Sequence, residues 1–199
     1  MKKQALALSV ALAIAIILSY AFASVFVYYP ITVNLSPVNP PIRFDYGSNA
    51  NQNDLGGSGD PYTSNTIGVT IGPAGTSLIL TLHPTRQHNY YKEVSLIENT
   101  DGKAYYITIR VVTAAVLPPS SVALLLIFDE LGSRVAEVDL LATGDTSATS
   151  TISASGTPGS IWRIDLYIFI PEDSTPSATS AFVQLIYSPS SETPPAVPP

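Results

Sequence analysis

The sequence predicts an all-β protein, a β-sandwich of jelly-roll type, and three observations carry that expectation. Short runs rich in Val, Ile, Leu and Tyr recur between residues 66 and 187. Turn chemistry separates them: Gly72-Pro73-Ala74-Gly75, Asn99-Thr100-Asp101-Gly102, Pro118-Pro119, Leu131-Gly132 and Thr157-Pro158-Gly159. After the first two dozen residues, no stretch of helix-forming residues sustains a 3.6-residue apolar period, so the runs read as strands.

The chain opens on Met1-Lys2-Lys3, a short positive segment, followed by an uncharged apolar run from Ala5 to about Ala21. Ala21-Phe22-Ala23 then supplies the small-x-small pattern that a signal peptidase accepts. Residues 1–23 therefore read as a secretory signal peptide cleaved after Ala23. The competing reading is a retained membrane helix of the type IV pilin kind, since apolar character continues to Tyr29, long enough to span a bilayer. Against it, Ser24-Val25-Phe26-Val27-Tyr28-Tyr29 is mostly β-branched or aromatic and Pro30 follows at once.

Residues 24–36 form the next unit. Val25, Val27, Tyr29, Ile31, Val33 and Leu35 fall on one face of an extended strand, and Ser24, Phe26, Tyr28, Pro30, Thr32 and Asn34 on the other. Pro30 cannot donate to a ladder, which disfavours a strand paired along both sides. Ser36-Pro37-Val38-Asn39-Pro40-Pro41 then breaks the chain. A hinged strand with an apolar stripe needs a partner sheet. Two partners are open to it: its own domain, as an edge strand, or a second copy of the chain, by strand addition.

The body of the sandwich is expected over residues 37–188. Residues 42–66 read as a long polar loop with a short strand near 42–46. Strands are expected at 66–71, 77–82, 91–97, 104–112, 122–128, 134–141, 149–153, 161–170 and 181–187. Residues 189–199, with five prolines among them, read as an extended tail, either bare or laid on a neighbouring subunit.

Composition narrows the function classes. With 199 residues, 46% hydrophobic and 12% charged, the chain can bury a real core and is not disordered. Its formal charge is −6, and loss of Lys2 and Lys3 with a leader would take it to −8. Nine basic residues on an acidic chain are a poor match for nucleic acid. Cysteine is absent, which excludes disulfide stapling and thiol chemistry.

No residue pattern resembles an active site, and no cofactor or metal is expected. His83 and His88 are the only histidines; they are five apart and lack the Glu of a zinc-peptidase helix. Asp45, Asn49, Asn51, Asn53, Asp54 and Asp60 offer hard oxygen donors of the kind calcium takes, but at no defined loop spacing. No Gly-x-Ser-x-Gly elbow occurs, and the acid pair Asp129-Glu130 reads as a solvated turn. Asn34-Leu35-Ser36 is a glycosylation sequon, with Asn34 on the face opposite the apolar stripe. In the pairs Tyr28-Tyr29, Tyr90-Tyr91 and Tyr105-Tyr106, alternation puts one ring inside and the other at a surface or interface.

Taken together, the strand-forming start, the Gly/Asn-rich loop, the turn Ile71-Gly72-Pro73-Ala74-Gly75-Thr76 and the strand-turn-strand Leu96-Ile97-Glu98-Asn99-Thr100-Asp101-Gly102-Lys103-Ala104-Tyr105-Tyr106-Ile107-Thr108-Ile109 resemble the TasA-like and camelysin family of biofilm-fibre proteins. The likeness is greatest to its archaeal bundling-pilus subunits. The Asn99–Gly102 turn carries one residue more than the family's Asn-Thr-Gly. The resemblance implies a secreted jelly-roll subunit polymerised by donor-strand complementation, with Val25, Val27, Tyr29, Ile31, Val33 and Leu35 entering the next copy. Its partners would be identical subunits, head to tail and in lateral bundles, building an extracellular matrix without a membrane anchor once the leader is removed.

Overall fold

The computed structural model describes residues 2–21, 29–54 and 66–195. They fall into two compact units, one ending at Val38 and the other starting at Asn39.

In the first unit, Lys2–Ala21 is an α-helix (α1). Its charged residues sit at the start and an almost wholly apolar run follows without a polar stripe, so it has no amphipathic face. Among the described residues no helix is long and apolar enough to cross a membrane. Residues 29–38 belong to no helix and to no strand. Val25 and Val27, expected in the same strand, lie outside the described residues.

The second unit is all-β and antiparallel. Among the described residues ten strands follow in chain order: β1 Ile42–Tyr46, β2 Gly68–Ile71, β3 Leu78–Thr81, β4 Gln87–Asn99, β5 Tyr106–Thr113, β6 Val122–Phe128, β7 Arg134–Asp139, β8 Gly144–Ser147, β9 Ile161–Ile170 and β10 Phe182–Ser188. They build a five-stranded sheet in the order β1-β4-β9-β6-β7, a three-stranded sheet β10-β5-β8, and the hairpin β2-β3. Alternation decides what each strand buries. On β9, Trp162, Ile164, Leu166, Ile168 and Ile170 are buried together, and on β5 Ile107, Ile109 and Val111 face them across a shared core.

One expected strand is not where the periodicity put it. Residues 149–153 contribute only an isolated bridge, Ile152 to Tyr105, while the strand lies upstream at Gly144–Ser147. The reason is cross-strand chemistry. Asp145 stands opposite Arg110 and is held by two hydrogen bonds, 2.7 Å from Nε and 2.8 Å from Nη2. A polar Gly-Asp-Thr-Ser run therefore pairs where the apolar count favoured its neighbour. β4 is also longer than expected, at 13 residues, because a bulge lets it continue past a break in register between Tyr91 and Ser95.

Two turns fix how the chain leaves this body. Asn99 is buried and satisfied: its amide donates to the carbonyls of Lys103 and Ser153, and its Oδ1 accepts from Asp101 N. Thr100 then donates through both N–H and hydroxyl to the Pro41 carbonyl, at 2.8 and 3.0 Å. The start of the second unit is thus tied to the end of β4. In the Ile71–Thr76 turn, Gly75 has φ +70 and lies against Arg43 and Phe44 of β1, where an added Cβ would come within 2.7 Å of Arg43 Cβ. Only glycine fits both demands, and the close approach seats the β2-β3 hairpin on β1.

Candidate assembly site

The second unit holds an open apolar cleft of about 880 Å³. Its floor is the inner face of the five-stranded sheet, with Ile127 from β6 and Ile164, Leu166 and Ile168 from β9. One wall is the β3 stretch, Leu78, Leu80 and Leu82; the other is β10, Val183, Leu185 and Tyr187. The five aliphatic wall residues are only partly buried and Tyr187 is exposed, although the same residue types are closed off elsewhere in the core. β3 and β10 both line the cleft but are not hydrogen-bonded to each other.

Chemically the cleft suits an apolar chain. Its single charged lining residue among those described is Arg43, which is already bonded to Glu98 through Nε at 2.9 Å and Nη2 at 2.7 Å. Among the described residues no histidine, acid or lysine lines it.

The first unit carries the complementary feature. Tyr29, Ile31, Val33 and Leu35 are 82%, 86%, 71% and 84% exposed. They alternate with Pro30, Thr32 and Asn34, which are also exposed, and no charge occurs between Lys3 and Arg43. Asn34 of the sequon is thus accessible in the single chain.

The remaining candidates are accounted for by structural contacts. His83 bonds through N–H to Asp54 Oδ2 at 2.7 Å, with its ring Nδ1 3.1 Å from the same oxygen. His88 meets the Tyr167 hydroxyl at 2.6 Å and stacks on Phe169. The two histidines therefore share no site. Asp45, Asn49 and Asn51 serve backbone partners on strands: Tyr46 N of β1, Lys92 O of β4 and Val69 N of β2 respectively. Asn53 bridges Thr66, and Asp60 lies outside the described residues. Among the described residues no group of three or more His, Asp or Glu side chains is placed to hold a metal. Asp129-Glu130 is the exposed turn expected, with Asp129 Oδ1 accepting from Leu131 N and Ser133 N, and Glu130 in addition accepts from Gly159 N and Ile161 N at 2.8 and 3.2 Å. In the two described tyrosine pairs, Tyr91 and Tyr105 are the buried members while Tyr90 and Tyr106 are exposed.

Sequence reasoning missed one polar centre. Asp165, fully buried on β9, accepts from Tyr90 Oη at 2.6 Å and Glu93 N at 2.7 Å, and Arg163 Nε lies 3.4 Å away. Partial burial, reinforced by the bond to Asp165, pushes the Tyr90 hydroxyl up to about 12. Glu93 sits in the β4 bulge with φ +49, so Asp165 pins the backbone where the ladder is interrupted. The signal was there: an acid alone in the apolar run Ile161–Ile170 is costly unless bonded. This centre braces the sheet from the side of β9 opposite Ile164 and Leu166.

Compared with known proteins, the chain matches no family model and no curated sequence.

Proposed function

We propose that this chain is the structural subunit of an extracellular filament, exported as a precursor and polymerised by donating residues 24–35 to a neighbouring copy. The observation that carries the reading is the exposure of Tyr29, Ile31, Val33 and Leu35 in an uncharged segment with period-two alternation. Burying a Val, Leu or Ile side chain is worth about 1.5–3 kcal/mol. Such a stripe is far better placed against a partner than in water, even after the ordering cost of association. Strand addition supplies that partner, with main-chain hydrogen bonds for affinity and pockets for alternate side chains. A head-to-tail contact that does not close into a ring extends without limit, which makes a filament.

The body is read as a jelly roll. Two antiparallel sheets share one core, and β4-β9-β6-β7 packs against β10-β5-β8 with consecutive strands β4 and β5, β7 and β8, and β9 and β10 crossing between sheets. Exposed Tyr90 and Tyr106 are available for lateral contacts between filaments. The mature chain then starts near Ser24, is free of the membrane, and binds no cofactor or nucleic acid.

Electron microscopy of the purified protein, with sequencing of its mature N-terminus, tests the reading. Long filaments of a chain beginning near Ser24 are expected. Membrane particles of a chain that keeps α1 would replace it with the anchored reading, and monodisperse monomers would end it.

A further inference from the structure

Resting on that reading, we infer that the donated segment enters the cleft beside β10 and completes the three-stranded sheet as its missing fourth strand. A jelly roll sets two four-stranded sheets face to face, whereas among the described residues a five-stranded sheet is met by a three-stranded one, with the β2-β3 hairpin lining the cleft separately and unpaired with β10. The surplus strand is β1, which extends the larger sheet beside β4. The vacancy is in the smaller sheet, whose two edges are β10 and β8.

Among the described edges of the two larger sheets, β10 is the one suited to take a strand. β7 bears Arg134, Glu137 and Asp139, charges that discourage strand pairing. β8 is short and polar, and the chain after it closes onto β7 through Thr149 N donating to Val135 O at 2.8 Å. β1 is abutted by Gly75 of the β2-β3 turn. β10 has the sequence Phe-Val-Gln-Leu-Ile-Tyr-Ser, no charge, and along the cleft one side that no strand among the described residues pairs.

The dimensions agree. β10 is seven residues long, matching residues 29–35, about 23 Å at 3.3 Å per residue. With Tyr29, Ile31, Val33 and Leu35 turned to the floor, their side chains meet Ile164, Leu166 and Ile168, while Thr32 and Asn34 face solvent. The opposite wall, β3, is only four residues long and cannot pair along the whole donor. That leaves room for Pro30, which lacks an N–H to give. The occupant is a second copy rather than the chain's own segment because Pro37, Pro40 and Pro41 keep the connector extended and oppose a tight reversal.

Because the protein has no cysteine, pairs of introduced thiols report the contact directly. In the full chain, Thr32→Cys or Asn34→Cys is combined in turn with Gln184→Cys or Ile186→Cys on β10, or Ile79→Cys on β3. Mild oxidation of assembled filaments should give a ladder of disulfide-linked multimers on a non-reducing gel with at least one of these. The same donor thiols paired with Glu137→Cys on β7 or Asp45→Cys on β1 should give none. A ladder through β7 or β1, or filaments with no ladder from any pair, overturns the slot while leaving filament formation standing. Absence of filaments from the parent chain overturns both.

Discussion

Residues 29–35 and β9 are written in the same alphabet and meet opposite fates. Each alternates aliphatic residues along an extended run. On β9, Ile164, Leu166 and Ile168 are 2%, 5% and 8% exposed, whereas Ile31, Val33 and Leu35 remain open to solvent. Residue type does not separate them. β9 lies between β4 and β6 and under a facing sheet, while residues 29–35 pair with no strand among the described residues. Periodicity states that a face must be buried and is silent on which chain will bury it.

The comparison can be broken from either side, and the largest effect is expected in the segment. Replacing Ile31 and Val33 together by Asp should abolish filaments entirely while leaving the melting temperature of the monomer unchanged, measured by microscopy and thermal unfolding. A large drop in melting temperature would mean that the segment packs into its own domain. Next comes the body. Trp162→Ala, at a fully buried position, should cost about 3–5 kcal/mol in denaturant unfolding and lower filament yield only through loss of folded protein. Asp165→Ala should cost about 3 kcal/mol, because Tyr90 Oη and Glu93 N lose their acceptor and Arg163 its nearest charge.

The smallest effect is one of pH. Hydrogen bonding from the Arg110 guanidinium holds the Asp145 carboxyl below its ordinary range, and the Tyr105 hydroxyl and Gly102 N do the same for Asp101. Both groups are deprotonated more readily in the fold than in the unfolded chain. Their stabilisation is therefore complete above about pH 4 and fades as pH falls through the depressed values. An acid titration followed by tyrosine fluorescence should show loosening below pH 4, and Asp145→Asn should flatten it.

Much of the fold was legible because local chemistry and burial agree. Val122–Phe128 and Ile161–Ile170 were read to the residue from apolar runs between turn signals. The body's turn at Asn99–Gly102 was equally plain, and Asn99 proves to be its keystone. Legibility failed where a pairing between distant residues overrode local pattern. β8 exists because Asp145 finds Arg110, 35 positions away, and the β4 bulge exists because Asp165 reaches Glu93 N across 72. The donor half of the candidate site could be read from one strand's alternation. The cleft could not: Leu78, Ile164 and Leu185 look alike in sequence to any core residues, and only the sheet order reveals that, among the described residues, β10 is paired on one side alone, by β5.

A high-resolution density map of the assembled filament tests the central claim most directly. The account predicts continuous density for residues 24–35 of each subunit lying beside β10 of the next, with Ile31 and Val33 over β9. Density that returns this segment to its own sheet, or shows it helical within lipid, would contradict it.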